Sequence, residues 1–498
     1  MRVNYSLKNS ITALISNIIA IIIVFISQTI FIKTLGKEYL GINSLFSNIL
    51  TMFSFLELGI GSIITYKLYK PVSINDINEI KSLMNFYKKA YYIIALVTFL
   101  LALLILPFIK TVVGVINVNI NIYFVYLLFT LNLSISYLFS YKRCLIYVYQ
   151  KNYIINIIHI FYLILMNLVQ IILLIKTKNF YAYLITKILF QILENIIITI
   201  ICNKMYPYIK NNKNNLSKED KQDIYTKIKA LMYHQGAYVV ICGSDNILIS
   251  YFFGITIVGL YSNYNMIISA FILLCGCIIE ETMASVGNML VLENKENCYR
   301  VFKKIKLLNL LISIISSVII LNVITPFINI WLGKEYILSN FVLLVLVINY
   351  FITMERKTYH IFKQSAGVWE EDKYIPLIET ILNIVLSLVC IKLFSLAGVF
   401  IGTILSSLIL YLYSYPKYVY KKILGKSYKE YFKECLKSVL VFLFVLIITT
   451  YINTFFKNIC LNILISVLVP LLLLFIIYKK NEQFNYYINL LKGVLKCH

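Results

Sequence analysis

Fourteen long apolar runs decide what this chain can fold into. They cover 11–33, 40–66, 87–109, 122–141, 153–175, 181–202, 230–253, 258–283, 307–329, 341–362, 375–393, 397–414, 436–454 and 459–478. A helix needs about 20 mostly apolar residues to cross the hydrocarbon core of a bilayer. None of the runs alternates apolar and polar residues as the strands of a membrane barrel do. The expected fold class is therefore an all-α polytopic membrane protein with about 14 transmembrane helices. Composition excludes the alternatives. The chain is 60% hydrophobic and 14% charged, against roughly 25% charged in soluble domains. Too little charge is present to cover the surface of a soluble enzyme or a secreted binding domain, and too much apolar surface is present for disorder.

Charge sets the orientation. The net charge of +24 comes from 46 basic and 22 acidic residues, and in a membrane protein such an excess marks cytoplasmic loops rather than a nucleic-acid partner. With the N-terminus inside, 34 Lys and Arg fall on the inner side and 8 on the outer. Both termini are expected in the cytoplasm, in a multi-pass plasma-membrane protein. Arg2 and Lys8 ahead of the first run resemble a signal peptide, but the run is too long and no small-residue cleavage site follows, so it is read as a retained span. Ten Cys carry no CxxC pair, so neither a disulfide framework nor a metal site is expected.

The chain resembles itself at an offset near 218. Leu35-Gly36 matches Phe253-Gly254, Leu40-Gly41-Ile42 matches Val258-Gly259-Leu260, and Ser44 falls on Ser262. Pro107-Phe108-Ile109 ends the third run and Pro326-Phe327-Ile328 the ninth, while Arg143 and Arg356 recur late in the halves. Six spans per half is an even number, so the halves should share one orientation and be related by an axis along the membrane normal, with a cleft between them. The expected domains are a six-helix N-terminal lobe (1–202), a basic cytoplasmic linker (203–229), a six-helix C-terminal lobe (230–414), a cytoplasmic loop (415–435), two additional spans (436–478) and a cytoplasmic tail (479–498).

Ionisable and amide side chains within spans are costly and are functional candidates. In the seventh run His234, Tyr238, Cys242 and Asp245 share one helical face, flanked by Gln235 and Asn246. Asp245 either binds a coupling cation or proton or fixes helix packing. Glu57 in the second run has the same two readings. Asn17 and Gln28 share a face of the first span and either line the cleft or serve as interhelical hydrogen-bond partners. Arg356 and Lys357 either engage an anionic head group or snorkel to water; Arg143 is their counterpart in the first half. Lys187 and Glu194, two turns apart, are expected to pair with each other. Glu280 and Glu281 mark the inner end of the eighth span. Glu379 and His159 are read as structural. No phosphate-binding loop, HExxH or GxSxG is present: Gly425-Lys426-Ser427 has Tyr420 where the upstream glycine belongs. No enzyme and no cofactor are expected.

Several stretches resemble a known family. They are Leu35-Gly36-Lys37-Glu38-Tyr39-Leu40-Gly41, Leu56-Glu57-Leu58-Gly59-Ile60-Gly61, Leu68-Tyr69-Lys70-Pro71, Arg356 with Ala366-Gly367-Val368-Trp369, and Glu379 with Asn383 and Gly398-Val399-Phe400-Ile401-Gly402-Thr403. Over most of residues 1–480 the chain is similar to the polysaccharide repeat-unit flippases (Wzx type), in the superfamily that also holds multidrug and toxin extruders and the lipid II flippase. The resemblance implies a two-lobed exporter of polyprenyl-diphosphate-linked oligosaccharides for O-antigen, lipopolysaccharide or capsule synthesis. Its implied partners are that lipid-linked substrate, membrane lipids, a polysaccharide polymerase and glycosyltransferases. Such flippases often show several cavity arginines; here Arg356 is the clear candidate. Sodium or proton exchange at Asp245 or Glu57 is the expected coupling. A cation-coupled multidrug exporter of the same fold is the alternative, and a membrane glycosyltransferase or polymerase a third reading.

Overall fold

The computed structural model describes the backbone of residues 2–53, 57, 60–210, 214–368, 371–456 and 458–496, and the side chains of these apart from residues 2–11, 13, 14, 62, 227, 229–239, 242, 284, 291 and 490–496. Among the described residues the regular elements are all helical. The chain runs through α1 (Arg2–Leu35), α2 (Lys37–Met52), α3 (Ile60–Ser73), α4 (Ile77–Ile105), α5 (Ile109–Val113), α6 (Ile122–Val148), α7 (Asn152–Thr177), α8 (Phe180–Met205) and α9 (Lys218–Phe253). It continues through α10 (Ile255–Glu280), α11 (Met283–Leu292), α12 (Lys295–Trp331), α13 (Asn340–Ser365), α14 (Ile375–Phe394), α15 (Leu396–Ile409), α16 (Tyr428–Asn453), α17 (Ile459–Tyr478) and α18 (Glu482–Lys496).

Among the described residues eleven helices are long and apolar enough to cross a membrane, and they carry eleven of the fourteen apolar runs. The other three runs differ for stated reasons. The run at 40–66 is divided between α2 and α3, of 16 and 14 residues, each too short to span alone. The run at 230–253 lies within the 36-residue α9, and part of it falls outside the described side chains. In α13 the triplet Glu355-Arg356-Lys357 interrupts the apolar stretch. Several expected inner loops are helix instead. Asp76 caps α4 by accepting from the Glu79 amide, and Asn294 caps α12 by accepting from Asn297, so both helices begin well before their apolar runs. Likewise Ser217 caps α9, which carries half of the expected linker into a helix. The expected loop at 415–435 is mostly helical too. After α15 the helix continues to Ile423 with wider π-type turns, where Pro416 has no N–H to offer the ordinary ladder.

The repeat is visible in the backbone. Helices α2, α4 and α6 start at Lys37, Ile77 and Ile122; α10, α12 and α13 start at Ile255, Lys295 and Asn340, each 218 residues later. The caps repeat as well: Asp76 with Asn294, and Asn121 with Ser339. Gly36 and Gly254 precede α2 and α10 with φ of 91° and 84°, a left-handed region that favours glycine.

The chain forms two compact units, residues up to Ser262 and from Asn263 onward. In the first unit α1 packs on α7, α6 lies between α4 and α8, and α9 lies along α2. A side chain at Gly243 of α9 would meet Met52 of α2. In the second unit α14 and α15 form a tight pair, and α12 is the central helix against which α13, α16 and α17 pack. The first unit's core is rich in tyrosine, with Tyr87, Tyr91, Tyr137 and Tyr141 buried among aliphatic side chains. The second unit's core gathers Phe302, Phe362, Tyr359, Tyr420 and Tyr431.

Candidate functional site

Each unit holds an arginine of the repeat's fourth span between two neighbouring helices. In the first unit Arg143 of α6 reaches α8. Its Nη2 lies 3.1 Å from Glu194 Oε2 and donates to Asn195 Oδ1 at 3.0 Å. The other Glu194 oxygen meets His159 Nδ1 of α7 at 2.9 Å. Glu194 is buried, so the pair lies where an unmatched carboxylate would be costly. The structure corrects the expected Lys187–Glu194 pair: Glu194 faces Arg143 and His159, while Lys187 stands over the Phe129 ring at 5.8 Å. Seven residues along one helix is about two turns, and the nearer partners on other helices win. The Arg143 Nε and Asn195 Nδ2 are buried without a hydrogen-bond partner.

In the second unit Arg356 of α13 forms a two-pronged pair with Glu379 of α14, Nη1 to Oε1 at 2.9 Å and Nη2 to Oε2 at 3.3 Å. Tyr415, in the π-type segment after α15, sits against the guanidinium. Guanidinium and carboxylate match in this geometry, so Arg356 is held flat with part of its surface still accessible. The next residue, Lys357, pairs with Glu280 of α10, and its stem passes directly over Gly276, where any side chain would collide with it. Two residues expected to be structural or terminal, Glu379 and Glu280, are thus the immediate partners of the two candidate cations.

The remaining candidates are dispersed. Asn17 is exposed and Gln28 half-buried on α1, and Asp245 is half-buried on α9 between the buried Ser244 and Asn246. Glu57 accepts a hydrogen bond from the Tyr91 hydroxyl, which in turn accepts from Tyr87 at 3.1 Å. This chain of hydroxyls leads from the carboxylate into the tyrosine core. His234, Tyr238, Gln235 and Cys242 lie outside the described side chains.

Two buried networks were not visible in sequence. Lys306 of α12 is within 3.0 Å of Glu434 Oε2 on α16 and 3.1 Å of the Tyr420 hydroxyl, and its ammonium lies 5.5–5.9 Å from the Phe302, Tyr359 and Tyr420 ring centres. Tyr299 and Tyr420 donate to the two oxygens of Glu434 at 2.8 and 2.5 Å. In the same unit, Lys363 of α13 pairs with Asp372, which also accepts from Ser414 Oγ at 2.9 Å. Lys306 and Lys363 read as loop lysines because they follow or precede apolar runs. Their partners lie 128 and 9 residues away, at spacings that carry no local signal. Near them Glu355 Oε1 is buried with no hydrogen-bond partner.

No family model matches the chain, and no curated protein matches it. Solved structures do. A lipid II flippase, MurJ, in an inward closed conformation superposes with a TM-score of 0.69 over 95% of this chain and 99% of its own, at 18% identity. An inward-facing multidrug resistance MATE family transporter of the MOP superfamily gives 0.62 over 78% of this chain and 91% of its own, at 13% identity. The chain has the fold of these two solved structures. A Vibrio cholerae MATE transporter, VcmN, superposes with a TM-score of 0.54 over 82% of this chain and 94% of its own, at 12% identity. The likeness agrees with the all-helical, multi-pass membrane architecture described above. At these identities it speaks for the fold and not for a sugar or a drug.

Proposed function

We propose that the chain is a flippase that exports polyprenyl-diphosphate-linked oligosaccharide units for polysaccharide biosynthesis, by alternating access, across the plasma membrane and with both termini in the cytoplasm. The observation that carries this reading is the extent of the structural likeness. The lipid II flippase matches over 95% of this chain and 99% of its own length, whereas the multidrug transporters match over 78% and 82% of this chain.

The physics fits such a substrate. Each sugar hydroxyl moved into hydrocarbon without a partner costs about 2–7 kcal/mol, so unassisted flipping is negligible. A diphosphate of charge about −2 leaving a negative interior gains roughly 4–5 kcal/mol per 100 mV. In this account Arg356 is the recognition group. A phosphate presents the same two-oxygen edge to a guanidinium as a carboxylate does, so the diphosphate displaces Glu379 from Arg356, with Lys357 and Arg143 as further cationic contacts. His234, Tyr238, Asn17 and Gln28 supply polar contacts to the sugar, and Asp245 or Glu57 carries a coupling sodium ion or proton. The expected partners are a polysaccharide polymerase and glycosyltransferases acting on the same lipid-linked unit.

Cells lacking the protein should accumulate the lipid-linked unit on the cytoplasmic leaflet and lose the corresponding surface glycan. An unchanged surface glycan sinks the proposal. One observation favours the multidrug alternative: Arg356 already has a carboxylate partner in Glu379, as a purely structural arginine would. Under that alternative Arg356→Ala changes stability but leaves the transported species unaltered.

A further inference from the structure

The first unit contains a second cationic feature, away from the Arg143–Glu194 pair. A cavity of about 230 Å³ lies between the start of α4, the end of α6 and the end of α8. Asn85 and Lys88 of α4, Tyr141 and Lys142 of α6, Asn203 of α8 and Lys210 beyond it line this space. The surface of the cavity is polar. Three of its walls carry lysines, and no carboxylate lines it among the described residues.

Lys142 is the decisive group. It is 8% exposed, and its Nζ donates to Asn203 Oδ1 at 3.0 Å. That acceptor is neutral. Lys88, which lines the same cavity, repels it. Desolvating an ammonium without a counter-charge is strongly unfavourable. Elsewhere in this chain buried lysines are matched by carboxylates, as Lys306 is by Glu434 and Lys363 by Asp372. Here no described carboxylate lines the cavity, and an anion from outside the protein would supply the matching charge. The Asn85 amide is already committed to the Asn214 carbonyl at 2.7 Å, which fixes that wall, and Lys210 is exposed at the mouth.

We infer that this cavity binds a phosphate group, with Lys142 at its base and Lys88 and Lys210 at its rim. The volume is below the roughly 300–1,000 Å³ of pockets that enclose whole small molecules, so it accepts the charged group and leaves the rest of the ligand outside. Ammonium groups bind phosphate as point charges and do not need a planar match. By the distribution of basic residues, this end of α4, α6 and α8 faces the cytoplasm. Both a free phosphate and the head group of an anionic inner-leaflet lipid present the required chemistry there. The inference does not depend on what the protein exports.

The test uses the full chain purified in a nonionic detergent. Its thermal midpoint is followed against inorganic phosphate, against chloride at equal ionic strength, against dihexanoyl phosphatidylglycerol and against dihexanoyl phosphatidylcholine. The expected result is a saturable stabilisation by a phosphate-bearing anion that chloride and phosphatidylcholine do not give. Response to phosphate alone assigns a free anion, response to phosphatidylglycerol alone assigns a lipid head group, and response to both assigns the phosphate group itself. Lys142→Met should weaken the response by about tenfold or more. Should that variant fail to fold, Lys88→Gln combined with Lys210→Gln at the accessible rim gives the same reading. No saturable stabilisation by either anion, or equal affinity in the variants, overturns the inference.

Discussion

Gly41 and Gly259 face each other's helices in a reciprocal contact. A side chain on Gly41 of α2 would strike the carbonyl of Ile255 at the start of α10, and one on Gly259 of α10 would strike the carbonyl of Lys37 at the start of α2. Each glycine meets the residue four positions before the other, and both pairs are 218 residues apart. The first turns of the two helices therefore meet backbone on backbone, as small residues permit in membranes.

Because the obstructing atoms are main-chain carbonyls, no rotamer change relieves a larger residue. Gly41→Val and Gly259→Val should each cost about 1–3 kcal/mol through overpacking. The thermal midpoint of the purified protein checks this, and because the contact is reciprocal the two losses should be of similar size. A neutral outcome for either variant contradicts the close crossing.

The Arg356–Glu379 pair separates structure from recognition. Removing Arg356 leaves the buried Glu379 carboxylate alone, so Arg356→Ala should destabilise by about 3–5 kcal/mol, whereas Glu379→Ala strands an arginine that still reaches solvent and should cost less. The double variant Arg356→Met/Glu379→Leu should recover most of that stability. If Arg356 recognises the diphosphate, the double variant folds and still fails to export. A folded, exporting double variant would show the pair to be structural only.

Much of this was legible beforehand. The membrane class, the helical spans and the repeat follow from apolar run length and from recurrent Gly, Pro and Arg positions. Those signals survive because lipid demands continuous apolar helices. The division at 40–66 was not legible, since a run of apolar residues says nothing about where the helix stops. Nor were the helical extensions of α4, α9 and α12, which depend on the caps Asp76, Ser217 and Asn294. Pairings were the least readable part. Arg143 stands out in the sequence, but spacing along α8 pairs Glu194 with Lys187 rather than with Arg143 and His159. Helical spacing ranks neighbours within one helix and is silent about which side chains meet across two.

Lys306 and Glu434 join α16 to α12. Glu434→Gln keeps an acceptor oxygen for one of the Tyr299 and Tyr420 hydroxyls but leaves Lys306 without a counter-charge, whereas Glu434→Leu removes both. The thermal midpoints should fall in the order wild type, Glu434→Gln, Glu434→Leu. Lys306→Met/Glu434→Leu should be more stable than Glu434→Leu alone, since the buried ammonium is then gone.

Gly276 makes room for the Lys357 stem. Gly276→Val should drive Lys357 away from Glu280 and reproduce the phenotype of Lys357→Met. The double variant Gly276→Val/Lys357→Met should be no worse than Gly276→Val alone, a non-additivity expected of residues that act through one contact. Export rate and thermal midpoint measured on the four proteins test this. Full additivity would separate the two residues.

The most direct measurement of the central claim is leaflet exchange in proteoliposomes. The purified chain is reconstituted with a labelled polyprenyl-diphosphate oligosaccharide loaded in one leaflet, and the fraction reached by an impermeant glycosidase on the other side is followed over time. The account predicts exchange that requires the protein, accelerates under a membrane potential favouring anion exit, and is lost in Arg356→Met/Glu379→Leu. Exchange no faster than in empty liposomes, from protein that is folded and moves an amphipathic cationic drug in the same vesicles, would contradict it.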